Sequence, residues 1–537
     1  MRRCHRLLLA LLLFLVPLRA GATDIEELLA QLGSGGFDAK IAAVRALGAL
    51  GDPRAVPVLK ALGDGALYTT ADHRVVIAEA SGDAFKIFDP LDHKPLGEAP
   101  DSALDKILVN NRVRGVIDEA LSGLTLFSPR PQDRLSAAQE ALRHPPGDGG
   151  KALEKALEQE KDAQVRQALR LALAAARLDS GDKNQQLAAV SELSSASDPQ
   201  IRSLLLQRRD AAAVDPDLRR ALDAAIGSID GRLRLIGIGV TLFEGLSLGS
   251  VLLLAAIGLA ITFGVMGVIN MAHGEMIMLG AYATFVVQEI FRAFLPPGWL
   301  DAYLIAAVPI AFLATATVGI GIERGIIRFL YGRPLETLLA TWGVSLALQQ
   351  AVRSIFGAPN REVANPSWMT GGFDIANGAA TLTWNRLVIL GFAFFVLGVL
   401  ALVLRKTTLG LHMRAVTQNR EMASVMGIAT AKVDALTFGL GSGIAGIAGV
   451  ALSQIGNVSP NLGGIYIVDS FMVVVFGGVG NLLGTLAGAM SLGIINKLLE
   501  PFAGAVLGKV VVLVAIILFI QKRPRGLFAL KGRAAES

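Results

Sequence analysis

The sequence predicts an all-α polytopic membrane bundle of about eight or nine spans, some broken or re-entrant, preceded by an exported helical domain with a small β insert. Three observations predict it. The 537-residue chain is 53% apolar with a mean hydropathy of +0.53, above what an ordinary soluble protein carries. The excess is uneven: up to about Ser228 the chain is rich in Asp, Glu, Lys, Arg and Gln, and from Leu233 runs such as "SVLLLAAIGLAITFGVMGVI" and "VVVLVAIILFI" take over. The second half is also dense in Gly and Ala, as in "GLGSGIAGIAG", which lets membrane helices approach closely.

The first element is a targeting segment. "MRRCHR" is a basic start, "LLLALLLFLVPL" an apolar run of about 12 residues, and Ala20 to Ala22 a small-x-small cleavage site, so 1–22 reads as a signal peptide and 23–230 as exported. The single cysteine, Cys4, lies in that segment. The mature chain is then expected to hold no disulfide, thiolate metal site or cysteine nucleophile. The net charge of +5 does not point to nucleic acid, because the basic residues gather in loops.

The exported domain comes next. "KIAAVRALGALGDPRAVPVLKALGDG" (40–65) shows two helical patterns around a "GDPRA" turn, with Asp52 placed to cap the second helix and Pro53 in its first turn. It resembles a HEAT-type repeat, and "DRLSAAQEAL", "DAQVRQALRLALAAARL", "SDPQIRSLLLQRRD" and "DPDLRRALDAAIGSI" repeat the theme of helices behind Asp or Asp-Pro. Near 66–98, "LYTT", "RVVIAE" and "FKIFD" predict two or three short strands. His73 and His93 lie here among Asp residues and read as solvated turns in preference to a metal site.

The membrane domain spans 233–525, with a cytoplasmic tail at 526–537. Apolar segments fall near 236–265, 272–291, 302–321, 335–352, 386–404, 434–453, 465–478, 483–497 and 508–521. The most basic loops hold Arg324, Arg328 and Arg333, then Arg405, Lys406, Arg414 and Arg420, then Lys522, Arg523, Arg525, Lys531 and Arg533. With nine spans and an outer amino-terminal domain, all three face the cytoplasm, as the positive-inside tendency requires. Arg232 and Arg234 then lie outside, against that tendency.

Within "VINMAHGEMIMLGAY" (268–282), Asn270, His273 and Glu275 mark the inner junction of the first two spans, at or near a transport path. Asn270 is placed to cap the second helix, Glu275 to favour its dipole, and Gly274 to take an unusual backbone angle. Other polar path candidates are Thr341, Gln349, Gln350, Ser442, Ser453, Gln454, Asn457 and Asn481, with Asp434 and Asp469 near span ends. The loop helix "MRAVTQNREMASVMGI" alternates apolar and charged positions and ends at Gly427. By itself it is a solvated connector, a membrane-surface helix or a docking element.

That loop resembles the coupling loop of ABC-importer permeases of the branched-chain amino-acid type. "GVINMAHGEMIMLGAY" is similar to the family's pattern at its first two spans and "VVVFGGVGNLLGTLAGA" (473–489) to a third block, so the resemblance covers about 236–525. It implies that Arg414, Arg420, Glu421, Met422, Ala423, Gly427 and Ile428 belong to a loop docked into a cytoplasmic ATPase subunit. It also implies a second homologous permease, an extracytoplasmic substrate-binding protein and a multi-pass place in the inner membrane. The chain has no GxxxxGK[ST], so the expectation is no cofactor of its own and no enzyme activity, with ATP bound by the partner.

The signal peptide, the HEAT-like repeat, the strand insert and "ILVNNRVRGVIDEALSGLTLFSPRPQDRLSAAQEAL" resemble the urea-transport branch of that family. A small, neutral, planar solute suits the mostly neutral polar residues above, whereas a zwitterion would be expected to meet a charge or a helix terminus. Branched-chain or other small amino acids are the alternative solutes. A passive channel or secondary transporter is the alternative class, and an enzyme built on His273 and Glu275 lacks any HExxH or nucleophile motif.

Overall fold

The computed structural model describes residues 25–528 apart from 51, 53, 73, 82–83, 147–149, 212–214 and 376–378. The expected signal peptide with Cys4, the end of the tail, Pro53 and His73 lie outside the described residues. The chain divides into two compact units, Met1–Leu233 and Arg234–Ser537.

In the first unit, α1 (Ile25–Ser34), α2 (Phe37–Leu50) and α3 (Ala55–Gly63) precede a five-stranded antiparallel sheet, followed by α4 (Asn111–Thr125), α5 (Pro131–Arg143), α6 (Lys151–Gln159), α7 (Ala163–Arg177), α8 (Lys183–Leu193) and α9 (Pro199–Arg209). The sheet runs β1 (Leu67–Thr70), β2 (Val75–Ser81), β3 (Ala84–Phe88), β4 (Pro95–Pro100) and β5 (Leu104–Lys106), ordered β4-β3-β2-β1-β5. Alternation along β2 decides its faces. Val75 and Ile77 join Leu29, Leu47, Leu62 and Ile117 of the helices, while Val76 and Ala78 turn to Leu104 on the other side.

Five strands replace the two or three expected. "PLGEAP" and "LDK" carry no β-branched residue and are strands only through backbone pairing with β3 and β1. Asp162, Asp182 and Asp198 cap α7, α8 and α9 by accepting backbone N–H groups, the start signal expected of Asp. Asp52 does not cap α3. Its Oδ1 accepts the Arg54 N–H at 2.9 Å and its carboxylate pairs with the Arg54 side chain, closing the preceding turn instead. Asp133 likewise sits inside α5, accepting from Ser128 and Arg130. His93 has φ +56° and stacks on Phe88 at 4.7 Å, an aromatic turn contact.

Arg134 and Glu160 form a two-pronged pair at 2.7 and 2.9 Å, and Glu160 also accepts the N–H groups of Lys161 and Asp162. These bonds favour the carboxylate and hold its pKa down to about 2.

The boundary between the units falls within α10 (Pro216–Met266). Its start contributes Leu218, Leu222 and Ile229 to the core of α7–α9. Arg232 donates to the carbonyls of Ser194 and Ala196, the latter at 2.7 Å, and so closes the end of α8.

The second unit continues with α11 (His273–Phe294), α12 (Tyr303–Gly325), α13 (Pro334–Phe356), the hairpin β6 (Gly372–Ile375) and β7 (Ala380–Thr383), α14 (Trp384–Lys406), α15 (Thr408–Gln418), α16 (Arg420–Val425), α17 (Thr430–Ser453), α18 (Leu462–Gly477) and α19 (Leu482–Lys522). Among the described residues six helices are long and apolar enough to cross a membrane: α10, α11, the 297–329 stretch holding α12, α14, α17 and α19. The other expected segments depart for visible reasons. α13 carries too many polar residues, α18 has 16 residues, and the last two segments are one element broken at Gly504, where φ is +74° just after Pro501.

α17 lies at the centre, and small residues bring its neighbours into backbone contact. A Cβ on Gly280 of α11 would strike the Gly446 backbone, one on Gly449 the carbonyl of Ile277, and one on Gly258 of α10 the carbonyl of Gly441. Lipid supplies no hydrophobic drive between helices, so such close van der Waals contact is what holds them.

Candidate functional site: a buried polar seam and a loop wired to the bundle

Three buried polar residues gather where α10 passes into α11: Asn270 in the connecting turn and His273 and Glu275 in the first turn of α11. α10 ends at Met266, and Gly267 takes φ +67°, the left-handed angle that turns the chain; Gly274, expected to do so, is helical and pressed against Gly463 of α18. Asn270 is buried, and its Oδ1 accepts the Ala272 N–H at 3.0 Å. It therefore closes the turn before α11, whose N-cap position, Ala272, has no side-chain bond.

His273 and Glu275 then part company. Two positions apart on a helix, they face different neighbours. The His273 ring lies against Gly258, and its Nε2 donates to the Ala255 carbonyl of α10 at 2.9 Å. Glu275 is 1% exposed, and its Oε1 accepts from Ser345 Oγ at 2.9 Å and Gln349 Nε2 at 2.7 Å, both on α13. One turn back, Thr341 Oγ accepts the Met271 N–H at 3.1 Å. Glu275 does sit in the first turn of α11, but its hydrogen bonds are spent on α13 and not on the helix end.

α13 is inside out. It buries Thr337, Thr341, Ser345 and Val352 and exposes Leu335, Leu339, Trp342, Leu346 and Ile355. Thr337, Thr341, Ser345 and Gln349 recur every four residues, so they line one face. Ser345 escaped the sequence reading, although its place midway between Thr341 and Gln349 is the signal that finds it.

The remaining candidates are dispersed. Ser442 is buried against Gly319 of α12. Gln454 ends α17, where its Oε1 accepts from Tyr303 at 3.2 Å and its Nε2 donates to Ser453 at 3.1 Å. Asn481 is the N-cap of α19, accepting from Leu483 and Gly484 at 3.0 and 3.2 Å, so its side chain serves a helix start. Gln350 and Asn457 are exposed. Asp469 is paired with Lys509 of α19 at 2.7 Å.

The loop after α14 is two helices, not the one its spacing predicted. Asn419 is extended (φ −155°, ψ 106°), and its Oδ1 accepts the Met422 N–H at 2.9 Å, which ends α15 and caps α16. Met413, Val416 and Ala423 face inward; Met422, Val425 and Met426 are exposed, the last two at 80% and 78%. Gly427 (φ +84°) turns the chain toward α17 and Ile428 packs on the core. Arg414 donates to the Leu404 carbonyl and Glu421 is exposed.

Arg420 points inward. Its guanidinium bonds both oxygens of Asp434, a fully buried carboxylate of α17, one of them at 3.2 Å. It also lies 4.5 Å from the centre of the Tyr331 ring, whose hydroxyl donates to Glu323 of α12 at 3.2 Å. The loop is thus tied by charge to the central helix and to the end of α12.

Residues 39–62 match a HEAT-like repeat of the PBS lyase type. No solved structure matches the chain. The high-affinity branched-chain amino acid transport system permease protein LivH of Escherichia coli K12 is 33% identical over 293 residues, covering 53% of this chain and 94% of that protein. The counterpart BraD of Pseudomonas aeruginosa is 30% identical with the same coverage, and a probable LivH of Methanocaldococcus jannaschii is 26% identical over 52% and 88%. These relatives are permease components of the membrane and not enzymes. The family model described as branched-chain amino acid transport system, permease component, matches residues 241–520, more than half of the chain, and the chain belongs to that family.

Proposed function

We propose that this chain is one of two permease subunits of an ATP-driven importer of urea, set in the inner membrane with its first unit outside. The observation that carries the solute is the first unit itself. The amino-acid permeases match about half of this chain while covering nearly all of their own length, so the helical domain with its five-stranded sheet is an addition to them. The bundle can take a neutral solute: Asp434 and Asp469 are consumed in ion pairs, and apart from the Glu275 carboxylate the polar groups between α11 and α13 are hydroxyls and amides, donors and acceptors that such a solute can use.

Orientation follows from charge. With nine crossings, counting α13, α18 and both parts of α19, the basic loops after α12, α14 and α19 lie on the cytoplasmic side. The exposed Met422, Val425 and Met426 then face the cytoplasm, where an apolar tip suits a groove on an ATPase subunit. That ATPase binds the nucleotide, a second permease completes the path, and a binding protein outside delivers solute.

Import of branched-chain amino acids is the second reading, favoured by the 33% identity across 94% of LivH. Deleting the gene and measuring uptake of labelled urea and leucine at low concentration separates the two. Loss of urea uptake alone supports the first; loss of leucine uptake alone overturns it.

A further inference from the structure

We propose that the seam between α11 and α13 holds an N–H group of the passing solute, with the free oxygen of Glu275 as its acceptor. This rests on the importer reading above. The seam has two walls. Glu275 and Tyr282, seven residues apart, lie on one face of α11. Ser345, Gln349 and Phe356 come from α13, with the Phe356 ring 4.7 Å from that of Tyr282.

Glu275 is over-supplied on one side and bare on the other. Its Oε1 takes two hydrogen bonds while Oε2 has no partner among the described residues. About 10 Å further along the helix, the Tyr282 hydroxyl is also buried without a partner. A buried polar atom left unpaired is costly, and two in line along one seam mark positions that a ligand fills. Ser345 and Gln349 hold the carboxylate still, so that Oε2 keeps one direction.

What remains to be satisfied is an acceptor oxygen and, further along, a hydroxyl. That combination selects a small solute rich in N–H donors and rejects one that only accepts. An amide such as urea and the ammonium group of an amino acid share this chemistry. The carboxylate makes both bonds charge-assisted, the amide's from the acceptor side and the ammonium's from both sides, so the labelled solute used in the test tells the two apart.

The test reconstitutes the full chain in liposomes with its ATPase, second permease and binding protein, and measures urea or leucine moved per ATP hydrolysed. Glu275→Ala lowers that ratio roughly 10-fold for the transported solute, and Tyr282→Phe roughly 3-fold. Glu275→Gln keeps its amide oxygen on Ser345 and Gln349 and turns its NH2, a donor, toward the solute, so it lowers the ratio roughly 10-fold although the shape of the side chain is kept. A purely structural role moves transport and hydrolysis together, so Glu275→Ala lowering both with an unchanged ratio overturns the proposal. A wild-type complex that moves neither solute overturns the importer reading, and the proposal with it.

Discussion

α11 carries two contacts of opposite kind. Toward α17 it presents Gly280 and the Ile277 carbonyl to Gly446 and Gly449, so that backbones touch and no side chain intervenes. Toward α13 it presents Glu275, held by a hydroxyl and an amide. The first contact is van der Waals packing that no small shift improves. The second is a set of hydrogen bonds that a solute with the same donors can join or replace. The difference teaches which interface of the bundle is fixed and which is suited to exchange.

The comparison breaks most severely at the glycines. Gly280→Leu places a side chain where the Gly446 backbone lies, and backbone gives less than the side chains whose overpacking costs ~1–3 kcal/mol. The expected outcome is no folded chain in the membrane, read by detergent extraction and size-exclusion chromatography.

A buried carboxylate in water-facing surroundings sharpens the contrast. Glu160 is held by Arg134 and two backbone N–H groups with a pKa near 2. A folded pKa below the unfolded one gives stability that is complete above about pH 4.5 and is lost as the pH falls toward about 2. The difference amounts to ~3 kcal/mol for the first unit. Glu160→Gln removes that stability and flattens the acid limb, measurable by thermal unfolding across that range.

Next is the Arg420–Asp434 pair. Asp434→Ala leaves a half-exposed guanidinium without its partner and lowers the stability of the loop by about 2 kcal/mol. The double variant Arg420→Met with Asp434→Leu recovers part of it, read as a rise in unfolding temperature over the single variant. The smallest effect belongs to the exchangeable seam: Ser345→Ala removes one of two bonds to Glu275 and costs about 1 kcal/mol or less. A loss above ~3 kcal/mol would make the seam as fixed as the glycine contact.

Much of this arrangement is legible in the sequence, unevenly. Apolar runs reveal the long helices because length and hydrophobicity are local. α13 reads as a span from a few leucines, yet its polar face identifies it better: the four-residue spacing of Thr341, Ser345 and Gln349 is in the sequence, and their facing Glu275 is not. The junction at Asn270 to Glu275 is visible as a cluster, but adjacency in sequence hides that His273 and Glu275 point to different helices. The loop reads as one helix in the sequence because nothing in a periodic pattern sets Asn419 apart, whereas in the fold its side chain caps α16. Arg420 reads as a docking charge, and only its buried partner, fourteen residues on, turns it inward. Strands β4 and β5 exist through pairing alone, which no local signal carries.

The proposed importer moves solute only when a partner ATPase works on its loop. The most direct measurement is accumulation of labelled urea in proteoliposomes holding the complete complex, with ATP or with a non-hydrolysable analogue. The expected result is accumulation above the outside concentration with ATP and none with the analogue. Equal entry under both conditions, levelling at the outside concentration, would contradict it and make the bundle a passive channel.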